Sequence, residues 1–349
     1  MEKLSLETRT LYAELLDLLV AAEAGRSIGN LPGCFTFKKV KGEDYCYFQY
    51  SMPGALRQAY IGRRTPAIER LVERHKAGRD RLAPEARHLE RLCAQLRAGG
   101  AMATETAAAR VLKSFAEAGV FNLGGLLVGT HAFVALGNLL GVRWGSSAKT
   151  QDIDIAGERR LDLVLPDNRA DVPKLLELLE MGFLPVPALD PGSPSVSFKV
   201  RGGALRVDLL TPEARGRGGP LFIPRFNAAA QPLRFLDYLL EERQQGAVLN
   251  GNGVLVSVPS PARFALHKLI VAAERAPAFQ AKREKDLLQA ALLLRVLAEE
   301  RPGDIALAWD SLEKRGAGWV KRAKQGLAGL KGAHPEAWEA VEGRFGPTS

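Results

Sequence analysis

Cysteine and histidine are scarce in this 349-residue chain, which has three cysteines and five histidines. Cys34, Cys46 and Cys93 form no C-x-x-C pair, and no histidine stands near them at the spacing of a metal site. This pattern argues against a disulfide scaffold and against a zinc finger. It favours a reducing, cytoplasmic environment.

Long apolar runs are also rare, and the start MEKLSLETRTLYAELL lacks the basic flank and apolar stretch of a signal peptide. Val120 to Val142 has no Asp, Glu, Lys or Arg over a length that could cross a bilayer. Its five glycines would weaken a spanning helix, however. We therefore predict a buried strand followed by a buried helix, with no membrane partner.

Acidic residues are outnumbered, and the formal net charge is +9. The excess is uneven, because Arg57 to Arg97 holds 11 Lys or Arg against 5 Asp or Glu. This imbalance is consistent with a polyanionic partner such as RNA or another nucleic acid. A solvated, arginine-rich helix face is the alternative explanation.

The order of sequence patterns predicts a mixed α/β (α+β) fold in three regions. Residues 1–100 show a helix, a hairpin and one or two basic amphipathic helices. Residues 101–260 alternate helices with strands, and residues 261–349 are helical. Strands are predicted in the middle region at Leu126 to Val128, Asp152 to Ala156, Leu161 to Leu165, SVSFKV, LRVDLL, Leu233 to Asp237 and GVLVSV.

The predicted hairpin, CFTFKKVKGEDYCYFQYSM, interleaves aromatic residues with lysines. Aromatic rings beside basic side chains can stack on bases and hold phosphates. The same rings could instead pack on the following helix, because a small sheet needs large side chains to build a core. The sequence favours the second interpretation.

The stretch KTQDIDIAG places Asp152 and Asp154 two residues apart in a predicted strand, and hence on one face. Neighbouring carboxylates repel unless a cation, a proton or a basic side chain lies between them. Asp208 adds a third carboxylate within the apolar strand LRVDLL. Three such oxygen ligands suit Mg²⁺ or Mn²⁺. Pairing with arginines such as Arg143 or Arg206 is the alternative.

A candidate phosphate-binding turn comes earlier, in LLVGTHA. A strand ends at Gly129-Thr130, where a helix begins, so the free N–H groups of the first turn could face an anion. Gly129 permits close backbone approach, and Thr130 could cap the helix and bind a phosphate oxygen. The turn is informative only together with the aspartates.

Together these motifs resemble the nucleotidyltransferase superfamily that includes DNA polymerase beta, kanamycin nucleotidyltransferase and the nucleotidyltransferase toxins of abortive-infection systems. Its strand, glycine turn, Asp-x-Asp strand and third Asp match Gly129-Thr130, Asp152, Asp154 and Asp208. The segment FALHKLIVAAERAPAFQAKREKDLLQAALLL is similar to the basic helix of the bacterial branch. In that segment the matching residues are Lys268, Arg275, Lys282, Lys285 and Asp286.

The resemblance implies transfer of an NMP group from an NTP to an acceptor hydroxyl, with release of pyrophosphate. Asp152, Asp154 and Asp208 would be the catalytic and metal-binding residues. Gly129, Thr130 and Lys268 would contact the substrate, and the C-terminal helices would close over it. The acceptor stays open between RNA, protein and a small molecule, and the oligomeric state stays open too.

Two alternatives remain. A non-catalytic protein of this fold could bind nucleic acid or a protein partner, and the 22 residues between Gly129 and Asp152, an unusually long spacing, favour this alternative. A metal-dependent nuclease could use the same carboxylates, although the phosphate-binding turn favours a triphosphate. Lys268 could be a helix lysine with its stem on apolar surface. His131 and His267 are interpreted as polar core residues.

Overall fold

A computed structural model of the chain describes residues 1–24, 33–40, 42–52, 55–145, 150–158, 170–188, 190, 192–214 and 219–345. Side chains are described throughout these ranges except at residues 50–52, 55–57 and 78–83. The fold is mixed α/β, as predicted. The strand expected at Leu161 to Leu165, and part of the loop GVRWGSSAK, lie outside the described residues.

The N-terminal region contains a three-stranded antiparallel sheet where a two-stranded hairpin was predicted. The third strand, ALRQAYIGR, has too little apolar alternation to stand out in the sequence. The basic segment after it is one continuous helix that Thr65 caps by accepting the N–H of Ile68. The elements are β1 Glu2–Lys3, α1 Leu6–Ala24, β2 Cys34–Val40, β3 Glu43–Met52, β4 Ala55–Arg63 and α2 Pro66–Ala98.

The middle region is built on a mixed sheet with the order β11-β12-β10-β7-β5. β10 runs parallel to both β7 and β12, and β5 is antiparallel to β7. The strands are β5 Leu126–Val128, β6 Val142–Arg143, β7 Asp152–Ala156, β8 Phe183–Pro185, β9 Ser197–Val200, β10 Arg206–Pro212, β11 Leu221–Ile223, β12 Ala228–Leu233, β13 Arg243–Val248 and β14 Val254–Pro259.

The apolar residues of the central strands bury Ile153, Ile155, Val207 and Leu209 in one large core. Helices pack on the sheet and complete this core, and further helices follow to the end of the described chain. They are α3 Thr106–Glu117, α4 Gly129–Leu139, α5 Val172–Leu178, α6 Leu236–Leu240, α7 Pro261–Glu274, α8 Gln280–Glu300, α9 Pro302–Glu313, α10 Ala317–Ala333 and α11 Pro335–Glu339.

The helical region from Pro261 and the strand GVLVSV are confirmed, but the strand predicted at Leu233 to Asp237 is wrong. There β12 ends at Leu233 and the short helix α6 begins at Leu236. Helix α6 belongs to the apolar core, because Leu236, Tyr238 and Leu239 are buried. Apolar density alone does not separate a buried strand from a buried helix this short.

The uncharged segment Val120 to Val142 forms the predicted strand, β5, and the predicted helix, α4, and it ends at the first residue of β6. Its glycines divide it into short elements, and most of its side chains are buried in the main core. Among the described residues, no helix combines the length and the apolar character that a bilayer crossing requires.

A second core joins the N-terminal region to the middle region. Leu15 of α1 and Leu96 of α2 are buried with Ala247 of β13. The N–H of Ala247 also donates to the hydroxyl of Tyr12 at 3.0 Å. Helix α1 therefore covers one side of the β13-β14 hairpin.

Candidate functional site

Strand register brings two of the three predicted aspartates side by side. β7 and β10 are parallel, and Asp154 is directly opposite Asp208. On the other side of β7, Asp154 is paired with Val128, the last residue of β5. Side chains of paired residues on adjacent strands project to the same face. The buried isoleucines that alternate with the aspartates, Ile153 and Ile155, hold this register, because a one-residue slip would expose them.

Gly129 follows Val128 and touches the carboxylate of Asp154. Its backbone has a φ of +66°, and a Cβ atom built there would lie 2.0 Å from Oδ2 of Asp154. Only glycine fits, because any side chain would meet both this conformational strain and the clash. The predicted strand, turn and helix are present, and the turn is in direct contact with Asp154.

Thr130 is buried in the first turn of α4, at the predicted position, but it does not cap the helix. The N-cap residue is Val128, and the cap has no side-chain hydrogen bond. The backbone N–H groups of this first turn therefore lack a side-chain acceptor at the cap, and such groups attract anions. Gly129 and Thr130 can thus both contribute to an anion site through the helix terminus.

The electrostatics of the site centre on Asp154. Burial, together with the charge of Asp208, raises the pKa of its carboxyl to about 6. Lys268 opposes this shift, Asp152 reinforces it, and Lys285 opposes it. The self-repulsion expected between Asp152 and Asp154 is thus present, together with two cations that partly offset it.

Asp208 is engaged by its neighbours, as the alternative interpretation anticipated. Nε of Arg206 lies 2.7 Å from its Oδ1, and the hydroxyl of Ser197 donates to the same oxygen. Arg206 also donates from Nη2 to the Ser197 oxygen at 2.8 Å. This triangle fixes the carboxylate on β10 and compensates part of its charge.

Lys268 lies near the aspartates but is already paired. Its Nζ is 2.6 Å from Oδ1 of Asp286, which is itself buried. Arg275 binds the other oxygen of Asp286, Oδ2, with Nε at 3.1 Å and Nη2 at 3.0 Å. Asp286 therefore divides its charge between two cations, and Lys268 joins α7 to α8.

Lys285 is the cation that sequence analysis did not assign to the site. It is half-buried, and no hydrogen bond or ion pair to its ammonium occurs within the described ranges. Burial and the neighbouring Lys268 lower its pKa, while Asp286, Asp152 and Asp154 counteract this. The sequence match contained Lys285, but nothing in the helical spacing separated it from the exposed Lys282.

The two histidines next to the site are neutral at pH 7. Burial, with the charge of Lys285, lowers the pKa of His131 to about 4. Burial, with the charge of Lys268, lowers the pKa of His267 to about 3. His131 is buried, and its Nε2 has no hydrogen-bond partner among the described residues.

In the part of the chain that the structure describes, no three His, Cys, Asp or Glu side chains form a group that could hold a metal ion. Asp152 and Asp154 do suit a divalent cation, because they repel each other and their carboxylates accept no hydrogen bond from a described residue. Asp208 fits less well, since Arg206 and Ser197 hold its Oδ1. A metal could reach only its Oδ2 without displacing Arg206.

Comparison with protein families supplies an assignment independent of this geometry. The profile of a nucleotidyltransferase family matches residues 106–314, which include every candidate site residue. This match spans more than half of the chain, so the protein belongs to that nucleotidyltransferase family. No curated protein and no solved structure matches the chain.

Proposed function

We propose that the protein transfers an NMP group from an NTP to an acceptor hydroxyl and releases pyrophosphate. One observation carries this proposal: Gly129 at the start of α4 touches the carboxylate of Asp154, which lies beside Asp208. A triphosphate bound at the first turn of α4 would therefore have its α-phosphate next to the aspartates. Family membership supports nucleotidyl transfer in general.

In this proposal Asp152 and Asp154 hold Mg²⁺ or Mn²⁺. The bound ion would neutralise phosphate charge and lower the pKa of the acceptor hydroxyl. Asp208 would orient that hydroxyl or accept its proton through Oδ2, while Arg206 keeps the carboxylate in place. The neutral histidines have no assigned role in this chemistry.

Two lysines of the C-terminal helices would contact the triphosphate. Lys285 can approach a phosphate directly, because its ammonium has no carboxylate partner in the described structure. Lys268 can do so only by sharing its charge between the phosphate and Asp286. Helices α7 and α8 would thus close the nucleotide site, as the sequence resemblance implied.

The three cysteines are free thiols, which supports a cytoplasmic location within the proposal. The acceptor is proposed only as a hydroxyl, on RNA, on a protein or on a small molecule.

The direct test is incubation of the protein with each α-³²P-labelled NTP and Mg²⁺ or Mn²⁺. Total RNA, the protein itself and a small-molecule extract serve as acceptors in separate reactions. We expect a labelled product with at least one NTP and none with Asp154→Asn, which retains the shape of the side chain. Absence of product in every reaction would contradict the proposal.

The ion pairs of Asp208 with Arg206 and of Lys268 with Asp286 favour one alternative, a non-catalytic nucleotide-binding protein. Both pairs hold predicted site residues in contacts that need no substrate. An NTP-binding measurement made beside the transfer assay separates the two functions. The alternative predicts NTP binding with a normal affinity and no labelled product under any of these conditions.

A further inference from the structure

The three-stranded sheet β2-β3-β4 has one face that packs on α2. Phe35 and Phe48 lie with their ring centroids 4.9 Å apart, and both contact the imidazole of His75. The centroid distances to His75 are 5.1 Å and 5.6 Å. These aromatics thus form a small core, which is the interpretation that sequence analysis favoured.

The opposite face carries three tyrosines. Tyr47 and Tyr60 are directly paired across β3 and β4, with ring centroids 5.6 Å apart. Tyr45 lies 6.1 Å from Tyr60 on the same face. Tyr60 is 58% exposed, and the other two rings are half-buried. We call these three residues the tyrosine face.

Cations lie over two of these rings. Nζ of Lys38 is 5.2 Å from the ring centroid of Tyr47, and Cζ of Arg63 is 5.8 Å from that of Tyr45. Lys38 donates its hydrogen bond to a neutral amide oxygen, that of Gln58. Arg63 interacts with the Tyr45 oxygen and, at longer range, with Glu43. Because their nearest partners are neutral groups, Lys38 and Arg63 leave a positive charge at the edge of the tyrosine face. We call these two residues the positive rim.

We propose that the tyrosine face binds single-stranded nucleic acid. Bases would stack on Tyr45, Tyr47 and Tyr60, since every base offers a flat face to an exposed ring. Lys38 and Arg63 would bind the phosphates on either side. Duplexes would bind less well, because their bases are already stacked on one another. This site does not depend on the aspartates or on the proposed transfer reaction.

The choice of a nucleic acid over a protein partner rests on composition. Protein interfaces are also rich in tyrosine, but charged residues are depleted at their centre, whereas Lys38 and Arg63 lie directly against these rings. The basic helix α2 follows directly and adds to the positive potential. A single strand is the partner class that uses both features at once.

Fluorescence anisotropy with the full chain tests the stacking. The probes are labelled single-stranded RNA and DNA of the same mixed sequence, and the corresponding duplexes. Tyr60→Ala should weaken single-strand binding by about 5- to 150-fold, and Tyr60→Phe should stay within a factor of about 2 of the wild type. Phe222→Ala, an aromatic 53% exposed on β11, is the matched control and should bind normally. Thermal unfolding checks that each variant is folded.

Salt titration tests the rim. Lys38→Gln and Arg63→Gln should each reduce the slope of log affinity against log salt by about 0.7. Lys113→Gln, a lysine on α3, is the charge control and should leave the slope unchanged. A preference for RNA would support the proposal, and so would a preference for DNA. The preference would show which of the two nucleic acids the tyrosine face binds better. No single-strand binding, equal binding of duplexes, or wild-type affinity in Tyr60→Ala would overturn it.

Discussion

At the scale of single residues, Asp154 is the group on which the site depends. It contacts Gly129, faces Asp208, and interacts with lysines of both α7 and α8. Burial and the charge of Asp208 disfavour the ionised carboxylate in the folded protein, which is why its pKa is raised. This penalty is what a bound cation or a protein cation would relieve.

The first prediction concerns pH. Folding raises the pKa of Asp154 from 3.8 to about 6, so the folded state binds this proton more tightly than the unfolded state. The free energy of unfolding should therefore fall, relative to that of Asp154→Asn, as pH rises from about 4 to about 6. Asp154 is partly exposed, so solvent screening reduces this effect. Over this pH range, the free energy of unfolding of the wild type should fall relative to that of Asp154→Asn by on the order of 1–2 kcal/mol.

Chemical denaturation of both proteins across this pH range, without metal, measures the difference. Asp190→Asn is the control. Hydrogen bonds from Ser193 and Gly192 lower the pKa of Asp190, so Asp190 should make the free energy of unfolding rise with pH, whereas Asp154 should make it fall. Parallel stability curves for the wild type and Asp154→Asn would show that the surroundings of Asp154 do not raise its pKa.

The second prediction separates the lysines. Lys285→Met should reduce kcat/KM for the NTP on the order of 10²-fold, because a cation that contacts the triphosphate is lost. The Tm should change little, because Lys285 has no carboxylate partner in the described structure. Lys268→Met should lower both activity and Tm, since it leaves Asp286 with Arg275 alone. Lys282→Met, on an exposed lysine over Phe279, is the control. Equal activities of Lys285→Met and the wild type would remove Lys285 from the site.

At the scale of elements, the junction of β5 and α4 determines the site. The third prediction is that Gly129→Ala destabilises the protein and abolishes transfer, because the new Cβ would overlap Oδ2 of Asp154. Strain at positive φ adds about 1–3 kcal/mol. Gly119→Ala is the matched control, because Gly119 has a φ of +75° but no atom near its Cβ position.

The Tm values of the two alanine variants give the comparison. Both variants carry the same kind of backbone strain, so any further decrease in the Tm of Gly129→Ala measures the effect of the contact with Asp154. An equal decrease in the two variants would mean that the turn does not press on the carboxylate.

Sequence patterns predicted these elements where the determinant is local. The glycine turn after LLV and the alternation in DIDIA specify a strand, a turn and a face without reference to the rest of the chain. The contacts between distant segments could not be predicted in this way. Ser197 and Arg206 together bind Asp208 because β9 pairs with β10. Lys285 has no carboxylate partner in the described structure because the packing of α7 on α8 pairs Asp286 with Lys268 instead.

At the scale of the whole molecule, the N-terminal region shares a core with the family domain. Removal of residues 1–99 would uncover the β13-β14 hairpin, where Ala247 and Leu249 are buried against α1 and α2. Such a truncation changes stability as well as charge. Single substitutions are therefore better tests of the basic region than its deletion.

The fourth prediction tests this shared core. Leu15→Ala should lower the free energy of unfolding by about 2–5 kcal/mol, since Leu15 is fully buried. The four tryptophans all follow residue 100, so their fluorescence reports the family domain and the C-terminal helices. We expect the tryptophan transition itself to shift. An unchanged transition would show that the N-terminal region unfolds independently.

The central claim is that the α-phosphate of an NTP is transferred at Asp154. The most direct measurement compares α-³²P and γ-³²P forms of the same NTP with the wild type and with Asp154→Asn. The proposal predicts that the acceptor gains the α-label and never the γ-label, that pyrophosphate appears in equal amount, and that Asp154→Asn forms neither product. Transfer of the γ-label, or equal α-labelling by Asp154→Asn, would contradict it.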